Sequence, residues 1–410
     1  MLSEIPRPAP NTTFDLVIVG GGIVGTTLAC ALQNTPLTIA IIEALPAEQA
    51  LYKPQAYALS LLSSRILAGL GLWSQIAPQV GHFEQIRLSD ADYPGVVPFS
   101  QADLQTPHLG YVGEHRVILS ALQEKLTSQA RVYWFRPAEV IAVDYTEAGA
   151  LVQIRHQGQT QTLSTQLVVG ADGAKSRIRS LAEIKTRGWK YWQSCVAFTI
   201  QHQAPQNNIA YERFWYSGPM GVLPLPGHRC QIVWTLPHAQ AQALLRAEEA
   251  DFLRQLKPRL GEDFGEIQLC GARRLFPVQL MQSNRYIQPH LALIGDAAHC
   301  CHPVGGQGLN LGLRDAAALA EVLEQAHRQG KALGSLATLQ AYERWRRPEN
   351  FVILGFTDFL DRFFSHRIGP LVAVRRLGLE FLRHVPPAKV LALRLMTGLL
   401  GRQPQIAQRS

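Results

Sequence analysis

The sequence is poor in cysteine, the residue that builds disulfide frameworks and many metal clusters. The six cysteines are Cys30, Cys195, Cys230, Cys270, Cys300 and Cys301. Their spacing indicates neither a disulfide framework nor a metal site, and such a pattern is typical of proteins in a reducing compartment. Two of them are adjacent and lie between His299 and His302, but four contiguous residues do not converge easily on one tetrahedral ion. We therefore predict that no metal is bound and that these side chains are structural.

The chain also lacks a segment that is typical of a secretion signal, a transit peptide or a membrane span. Residues 16–42 carry no charge, but their glycines, Pro36 and several polar residues indicate a strand, a turn, a helix and a second strand. The lead before Phe14 is too short and too poor in arginine and serine for a transit peptide. We expect a cytoplasmic protein that is soluble or lies peripherally on the cytoplasmic face of a membrane.

Acidic residues are nearly absent from the C-terminal end. From residue 366 onward there are eight basic residues against Glu380 alone, so this end holds seven of the eight net positive charges. Because the body is nearly neutral, the charge pattern argues against nucleic-acid binding. A basic, leucine-rich end is typical of a helical element at a membrane surface, and equally of packed helices with solvated arginines. Under the first interpretation, truncation before Ile368 should weaken liposome binding more than flavin retention.

A glycine loop near the N-terminus predicts a dinucleotide site. An apolar strand over residues 15–19 is followed by Gly20-x-Gly22-x-x-Gly25 and then by a helix. This spacing allows a tight turn, a close approach to a pyrophosphate and close packing of helix on strand. A second strand at 38–42 ends at Glu43, whose carboxylate can accept hydrogen bonds from an unphosphorylated adenosine ribose. FAD and NAD both fit this pattern.

A second glycine-rich loop lies late in the chain. A strand over residues 291–294 ends in Gly295-Asp296, and a proline and several glycines precede a helix predicted to begin near Leu311. The N-terminus of such a helix attracts negative charge through its free N–H groups and its dipole. The loop could therefore hold a phosphate or the anionic N1–C2=O edge of a reduced flavin.

A third motif lies between these two. The strand at 167–169 is followed by Gly170 and by Asp172-Gly173. The order of the three motifs resembles that of the FAD-dependent aromatic-ring hydroxylases, the para-hydroxybenzoate hydroxylase superfamily. Segments 112–122, 218–234 and 342–396 extend the resemblance over nearly the whole chain, the last of them toward the ubiquinone-biosynthesis branch.

The resemblance implies an α/β fold in which a Rossmann-like FAD-binding domain of the glutathione reductase type is interleaved with a β-sheet substrate domain and followed by C-terminal helices. The implied boundaries are 1–76, 107–183 and 285–348 for the FAD-binding domain, 77–106 and 184–284 for the substrate domain, and 349–410 for a basic helical segment. Within the substrate domain we expect most of six aromatic residues to be core: Trp189, Tyr191, Trp192, Phe214, Trp215 and Tyr216.

The resemblance also implies the cofactor-binding residues. It assigns the FAD pyrophosphate to Gly20, Gly22 and Gly25, the adenosine ribose to Glu43, the phosphates or ribityl region to Arg116, and the neighbourhood of the adenine to Val140. Asp296 would contact the ribityl or pyrophosphate part, and the isoalloxazine ring would be surrounded by Pro303, Gly306, Gln307, Gly308, Leu309 and Asn310. Asp172 and Gly173 would also contact FAD. Asp172 and Gly173 would serve NAD(P)H as well, since no second GxGxxG loop is present. No side chain is nominated as catalytic; Pro303, Gly306, Gln307 and Asn310 would face the flavin, and His115, His299 and His302 are expected to be structural.

The implied function is hydroxylation of an aromatic ring, on a prenylated phenol-type precursor of a ubiquinone- or plastoquinone-like quinone. The implied reaction uses FAD, NAD(P)H and O2 and proceeds through a hydroperoxyflavin. The alternatives are a flavin-dependent prenyl reductase, a catabolic aromatic hydroxylase, a halogenase (whose usual Trp-x-Trp-x-Ile motif is missing here) and a GTPase chaperone of the same fold. Gln55 replaces an arginine usual in the family, which leaves the electron donor open, and Gly305 replaces a common alanine. A homodimer or membership of a quinone-biosynthesis complex is also expected.

Overall fold

A computed structural model describes residues 12–90, 93 and 95–409, and over these residues the chain forms 19 strands and 13 α-helices. The strands are β1 Thr13–Val19, β2 Ile39–Ile42, β3 Ala56–Ser60, β4 Gly81–Phe83, β5 Gln85–Asp90, β6 Val96–Ser100, β7 Gly110–Glu114, β8 Val132–Phe135, β9 Ala138–Tyr145, β10 Ala150–His156, β11 Gln159–Gly170, β12 Thr186–His202, β13 Ile209–Trp215, β14 Gly218–Leu225, β15 Arg229–Pro237, β16 Ile267–Ser283, β17 Ile287–Gln288, β18 Leu291–Leu293 and β19 His299–Cys300.

The helices are α1 Ile23–Ala31, α2 Ala47–Leu51, α3 Leu61–Gly69, α4 Trp73–Ile76, α5 Gln101–Leu104, α6 His115–Thr127, α7 Arg177–Leu181, α8 His238–Arg246, α9 Glu249–Leu260, α10 Gln307–Arg328, α11 Leu336–Ser365, α12 Gly369–His384 and α13 Pro386–Thr397. Parts of the implied domains lie outside the described residues, namely 1–11, 91, 92, 94 and 410.

The first sheet has the order β17-β18-β11-β1-β2-β8, with β10 and β9 continuing from β11. Its central strands β18, β11, β1, β2 and β8 run parallel. Strands that are covered on both faces need apolar side chains at every position, which is why residues 16–18 of β1 form a continuous apolar run and are fully buried. The turns that follow these parallel strands therefore meet at one edge of the sheet.

The second sheet has the order β19-β16-β12-β15-β14-β13-β5-β6, and a small third sheet has the order β3-β7-β4. Neighbours in the second sheet are antiparallel apart from β13 and β5. A Rossmann-like sheet, a second sheet and C-terminal helices are the architecture implied by the sequence, and the predicted fold class is confirmed.

The C-terminal helices are attached to the second sheet by buried contacts. The guanidinium of Arg375 on α12 lies 2.6 Å from a carboxylate oxygen of Asp90 on β5, and both side chains are buried. The ring of Phe364 on α11 stacks on Phe214 of β13 with their centroids 3.9 Å apart. Among the described helices, none combines the length and the apolar character that crossing a membrane would require.

Two details of the sequence prediction are wrong. The helix expected near Leu311 begins at Gln307, because Gly305 and Gly306 take left-handed φ angles of 65° and 60° and end the loop earlier. Half of the six aromatic residues expected mostly in the core are exposed: Trp189, Trp192 and Tyr216. Arginines cover two of these rings, since Arg362 stacks over Trp189 and Arg367 over Tyr216.

Candidate active site

The sequence motifs meet at the carboxyl edge of the first sheet. Gly20 follows β1, Glu43 follows β2, Asp172 lies two residues beyond β11, and Asp296 follows β18 by three residues. Because these four strands are parallel neighbours, the residues lie side by side although up to 276 positions separate them in the sequence. Ligands of such sheets bind outside the carboxyl ends of the strands.

The three glycines of the first loop have different surroundings. A Cβ atom on Gly20 would lie 2.4 Å from the carbonyl oxygen of Ala171, and one on Gly25 would lie 2.0 Å from the carbonyl oxygen of Gly20. A Cβ atom on Gly22 would meet nothing within 4 Å, and Gly22 is the N-cap of α1. Gly20 and Gly25 therefore allow close backbone packing, whereas Gly22 faces open space at a helix N-terminus, which suits a pyrophosphate.

Glu43 lies beside the first loop, as predicted. Its carboxylate accepts hydrogen bonds from the backbone N–H groups of Gly21 (2.8 Å) and Leu45 (2.9 Å). These bonds fix its position, and each oxygen keeps a lone pair that can accept a further hydrogen bond. Trp134 and Arg136, at the end of the neighbouring parallel strand β8, flank this position, and the guanidinium lies 4.3 Å from the ring centroid. Sequence reasoning missed both residues, although the strand pattern around 132–135 could have indicated them.

The middle loop is fixed by its own aspartate. The carboxylate of Asp172 accepts hydrogen bonds from the hydroxyl of Ser176 (2.5 Å) and from the backbone N–H groups of Arg177 (2.7 Å) and Ile178 (3.1 Å). Asp172 thus caps α7 and supports the loop. Gly173 has a φ of 80°, and a Cβ atom there would meet nothing within 4 Å. The open surface of this loop is therefore at Gly173.

The late loop is anchored by a buried network that sequence reasoning missed. The carboxylate of Asp315 on α10 accepts hydrogen bonds from the backbone N–H of Gly295 (3.1 Å), from Arg346 (2.8 Å) and from Asn350 (3.0 Å), and it contacts His299 at 2.6 Å. Burial alone would raise the pKa of Asp315, but the charges of His299 and Arg346 outweigh burial and hold this pKa well below its ordinary value. An Arg-Asp pair inside the apolar run of α10 is the signal that could have revealed the network.

Asp296 itself is exposed at this edge, where a cofactor could reach it. Desolvation by the surrounding protein raises the pKa of its carboxyl, while His299 and Lys53 act in the opposite direction. Near this position, the side chain of Gln55 accepts a hydrogen bond from the hydroxyl of Tyr57 (3.3 Å). Lys53 thus places a positive charge close to the position where the family usually has an arginine.

The predicted flavin-facing loop divides into supporting and open parts. Asn310 is buried, and its amide accepts hydrogen bonds from Ser60 N–H (2.8 Å) and the Ser63 hydroxyl (2.7 Å) and donates to the carbonyls of Ala58 (2.9 Å) and Gly306 (2.8 Å). Asn310 therefore ties the loop to β3 and α3. The first N–H groups of a helix lack acceptors within that helix, so the start of α10 at Gln307, Gly308 and Leu309 is suited to stabilise negative charge.

These features fit FAD. Helices α1 and α10 begin at the same edge of the sheet, and Gly22 and Gly173 leave open space there. Of the other predicted contacts, Arg116 is exposed at the start of α6 and Val140 is buried within β9; their contact with FAD stays a prediction. Pro303 and Gly306 lie where the loop meets a large cavity.

This cavity has a volume of about 520 Å³ and is almost entirely apolar. The loop at Pro303–Gln307 forms one end, strands of the second sheet form a wall, and helices α11, α12 and α13 form the opposite wall. Only three described lining residues are ionisable: Tyr211, Glu212 and Arg375. Arg375 is already paired with Asp90, so the cavity holds no free cation among these residues.

The three histidines of the motifs have structural partners. His115 contacts the Tyr57 hydroxyl (3.2 Å) and the Ala50 carbonyl (3.0 Å), and His299 belongs to the Asp315 network. Burial lowers the pKa of His302 to about 3, so this imidazole stays neutral at physiological pH. The contacts of His115 and His299 and the burial of His302 favour the structural interpretation of all three residues.

One group of side chains bears on the prediction that no metal is bound. The potential ligand atoms of His82, Glu84 and His108 all lie within 4.8 Å of one another, near the surface. The cysteine pattern gave no indication of this group, since it contains no cysteine. The absence of a metal stays a prediction.

Comparison with known proteins adds to this geometry. The family described as FAD binding domain matches residues 13–353. An uncharacterized protein of Synechocystis sp. (slr1300) is 62% identical over 97% of this chain and 96% of its own length. The ubiquinone hydroxylase UbiL of Rhodospirillum rubrum is 36% identical over 95% of this chain and 91% of its own length. The solved structure of the p-nitrophenol 4-monooxygenase PnpA of Pseudomonas putida covers 96% of this chain and 100% of its own, with a TM-score of 0.80 and 18% identity, which shows a shared fold.

Proposed function

The chain belongs to the FAD-dependent aromatic hydroxylases of the FAD-binding-domain family, as its sequence motifs indicated, and we propose that it hydroxylates a prenylated phenol in quinone biosynthesis. NAD(P)H supplies the electrons and O2 the oxygen atom in this proposal. The name of the relative from R. rubrum supports a ubiquinone-type pathway, and a plastoquinone-like product is the other possibility within the same chemistry.

The observation that carries the proposal is the apolar cavity beside Pro303–Gln307. Ligand pockets of about 300–1,000 Å³ bury most of a drug-sized molecule, so this cavity has room for an aromatic ring and part of a prenyl chain. Its lining is dominated by side chains such as Phe83, Leu223 and Phe363. Burying an apolar chain there is favourable by about 25 cal/mol per Å².

The chain's own residues bind, orient and shield. When bound, FAD supplies the redox chemistry that passes electrons from NAD(P)H to O2. Gly22 and the start of α1 would hold the pyrophosphate, and the first N–H groups of α10 would stabilise negative charge near the ring system. Asn310 keeps this helix start against β3 through four hydrogen bonds. The apolar walls exclude water, which limits the wasteful release of peroxide.

A catabolic hydroxylase of small aromatic acids is the weaker candidate. A substrate carboxylate buried without a counter-ion is costly, and Arg375 in the cavity already pairs with Asp90. A prenyl reductase of the same fold would use the same apolar cavity. It would reduce a double bond of the prenyl chain and would not consume O2 with its substrate.

The test uses the purified flavoprotein with a 2-polyprenylphenol and, as a control, 4-hydroxybenzoate. We expect O2 uptake and NAD(P)H oxidation with the prenylated phenol, and a product that has gained one oxygen atom by mass spectrometry. A saturated prenyl chain without O2 uptake would identify a reductase. Turnover of 4-hydroxybenzoate alone would identify a catabolic enzyme, and protein purified without a flavin absorbance band would contradict all three.

The C-terminal helices support the further proposal that the protein works at a membrane surface. Val374, Leu377 and Phe381 follow the spacing of one face of α12, and between 56% and 70% of each side chain is exposed. Arg376 and Arg383 add positive charge to the same helix. An exposed apolar face on a basic helix is typical of helices that lie on anionic lipid.

Glutamate at Leu377 and Phe381 should reduce binding to anionic liposomes by about tenfold or more, since each large apolar side chain contributes about 1.5–3 kcal/mol when buried. The double variant retains α12, whereas truncation before Ile368 would also remove cavity-lining residues such as Leu379 and Leu393. Vesicle pelleting of the flavoprotein measures the effect. Leu151→Glu, an exposed leucine on β10, is the matched control and should pellet like the unmodified protein. Equal pelleting of all three proteins would contradict the membrane proposal.

A further inference from the structure

Glu212 is a carboxyl group placed in an apolar cavity. It lies on β13, where side chains alternate between the two faces, and it shares a face with Ala210 and Phe214, which are both buried and both line the cavity. A carboxyl on the apolar side of a strand costs free energy unless it is hydrogen-bonded or neutral. Such a placement is therefore a sign of function rather than of packing.

The carboxyl of Glu212 reaches the predicted flavin-facing loop. One of its oxygens accepts a hydrogen bond from the backbone N–H of Gly305 at 3.3 Å, one residue before the N-cap of α10. Opposite it in the sheet are Gly221 on β14 and Leu88 on β5, neither of which carries a charge. The other ionisable lining residues are Tyr211, its neighbour on β13, and Arg375, which pairs with Asp90. Among the described residues, no donor hydrogen-bonds to the second carboxylate oxygen of Glu212, which lines the cavity together with the flavin-facing loop.

We propose that Glu212 recognises the hydroxyl group of a phenolic substrate and accepts its proton, which fixes the reacting ring beside Gly305. This inference rests on the proposed function and names the group that selects a free phenol over an ether. The cavity offers little else to a hydroxyl, because its lining is otherwise almost entirely apolar. A buried hydrogen bond to a charged acceptor strengthens binding by about tenfold to a hundredfold, enough to orient a ring in an apolar pocket.

The proton transfer is balanced within one turnover. The phenolic O–H bond breaks, its proton goes to Glu212, and the electron pair left on oxygen enriches the ring, where the new C–O bond forms. One atom of O2 enters the ring as a hydroxyl group and the other leaves as water, while NAD(P)H supplies a hydride with its two electrons and the solvent supplies one proton. When the C–H bond at the new C–O carbon breaks, its proton goes to the departing water and the ring becomes aromatic again. Glu212 then returns its proton to the phenolic oxygen and is a carboxylate once more.

The pKa of the carboxyl suits this role. Burial raises the pKa of Glu212 to about 7, although the hydrogen bond from the Gly305 N–H lowers this pKa in part. A base with a pKa close to the working pH accepts and returns a proton readily. Because the folded state holds this proton more tightly than the unfolded state, stability should fall as the pH rises from the ordinary carboxyl range to about 7. Glu212→Gln, which has no such proton, should therefore melt at a higher temperature than the unmodified protein above neutral pH and not in acid.

The test compares 2-geranylphenol with its methyl ether, 2-geranylanisole, which has the same shape but no hydroxyl donor. Binding to the FAD-loaded protein is followed by the change in the flavin absorbance spectrum, for the unmodified protein and for Glu212→Gln. The amide oxygen can still accept from Gly305 N–H, so the loop is retained, but the carboxylate charge is lost. We expect the unmodified protein to prefer the phenol by about tenfold or more, and the variant to lose about tenfold of that preference.

The preference should also depend on pH. In the unmodified protein it should grow between about pH 5.5 and about pH 8.5, and in Glu212→Gln it should stay flat. A variant that keeps the full preference overturns the inference, while O2 uptake with 2-geranylphenol would leave the proposed function intact. Equal binding of phenol and ether by the unmodified protein also overturns the inference. If there is also no O2 uptake with any prenylated phenol, the proposed function fails separately.

Discussion

Replacement of Asp315 by asparagine is expected to destabilise the protein by about 3 kcal/mol, because it breaks the buried ion pair with Arg346 and leaves that guanidinium only the partly exposed carboxylate of Glu349. Both side chains are almost fully inaccessible, and the carboxylate also holds Gly295 and His299 in the late loop. Denaturant unfolding of the flavoprotein, with the flavin content measured beside it, gives the loss. The late loop should lose its structure first, so flavin should be released before the rest of the chain unfolds.

The same pair predicts a dependence on acid. The folded-state pKa of Asp315 is lowered, so its contribution to stability is present above the ordinary carboxyl pKa and is lost as the pH falls toward the lowered value. Stability curves of Asp315→Asn and of the unmodified protein should therefore converge in acid. The control is Asp251→Asn, which removes an exposed carboxylate that pairs with the exposed Arg254. Surface pairs contribute about 0–1 kcal/mol, so a control loss equal to that of Asp315→Asn would contradict the prediction.

The second large effect is expected at Gly22. A Cβ atom at this position would meet nothing within 4 Å, and the backbone, with φ −73° and ψ −177°, is open to any residue, so the valine variant should fold. The side chain would instead fill the space next to the start of α1, and the affinity for FAD should fall by about a hundredfold, or about 2.7 kcal/mol. Titration of the apoprotein with FAD measures the change.

Gly25→Val is the matched comparison. A Cβ atom there would lie 2.0 Å from the carbonyl oxygen of Gly20, so the helix and the loop would have to separate. We expect this variant to lose soluble folded protein, whereas Gly22→Val keeps a normal circular dichroism spectrum and melting transition. If Gly22→Val retained FAD at the unmodified affinity, the pyrophosphate would not lie at the start of α1.

The parts of the site that were predictable from sequence follow parallel strands. A strand pattern that ends in glycine or an acid marks the carboxyl edge of a sheet, and Gly20, Glu43 and Asp296 lie at that edge as the pattern indicates. Local chemistry was enough, because each motif consists of a strand and the turn that follows it. The family and the fold class were predictable for the same reason, and both are confirmed.

The residues that were missed depend on contacts between distant segments. Glu212 and Arg375 are 163 positions apart and face one cavity only because α12 packs against the second sheet. Asp315 is one of many residues on a helix until Arg346 of α11 is placed beside it. The start of α10 was set too late because it depends on two consecutive left-handed glycines, a conformation that a hydrophobic pattern does not encode.

Helix α12 lines the cavity with one part of its surface and is exposed to the surroundings with another. Leu379 and Leu382 line the cavity, while Leu377 and Phe381 point outward, and Val374 takes part in both. Under the proposed function, a prenylated substrate would pass from the bilayer to the ring site along one helix without crossing bulk water. The effective substrate concentration is then its mole fraction in the lipid. Diluting the substrate with inert lipid should slow turnover, whereas diluting the vesicles at constant composition should not while the enzyme stays bound.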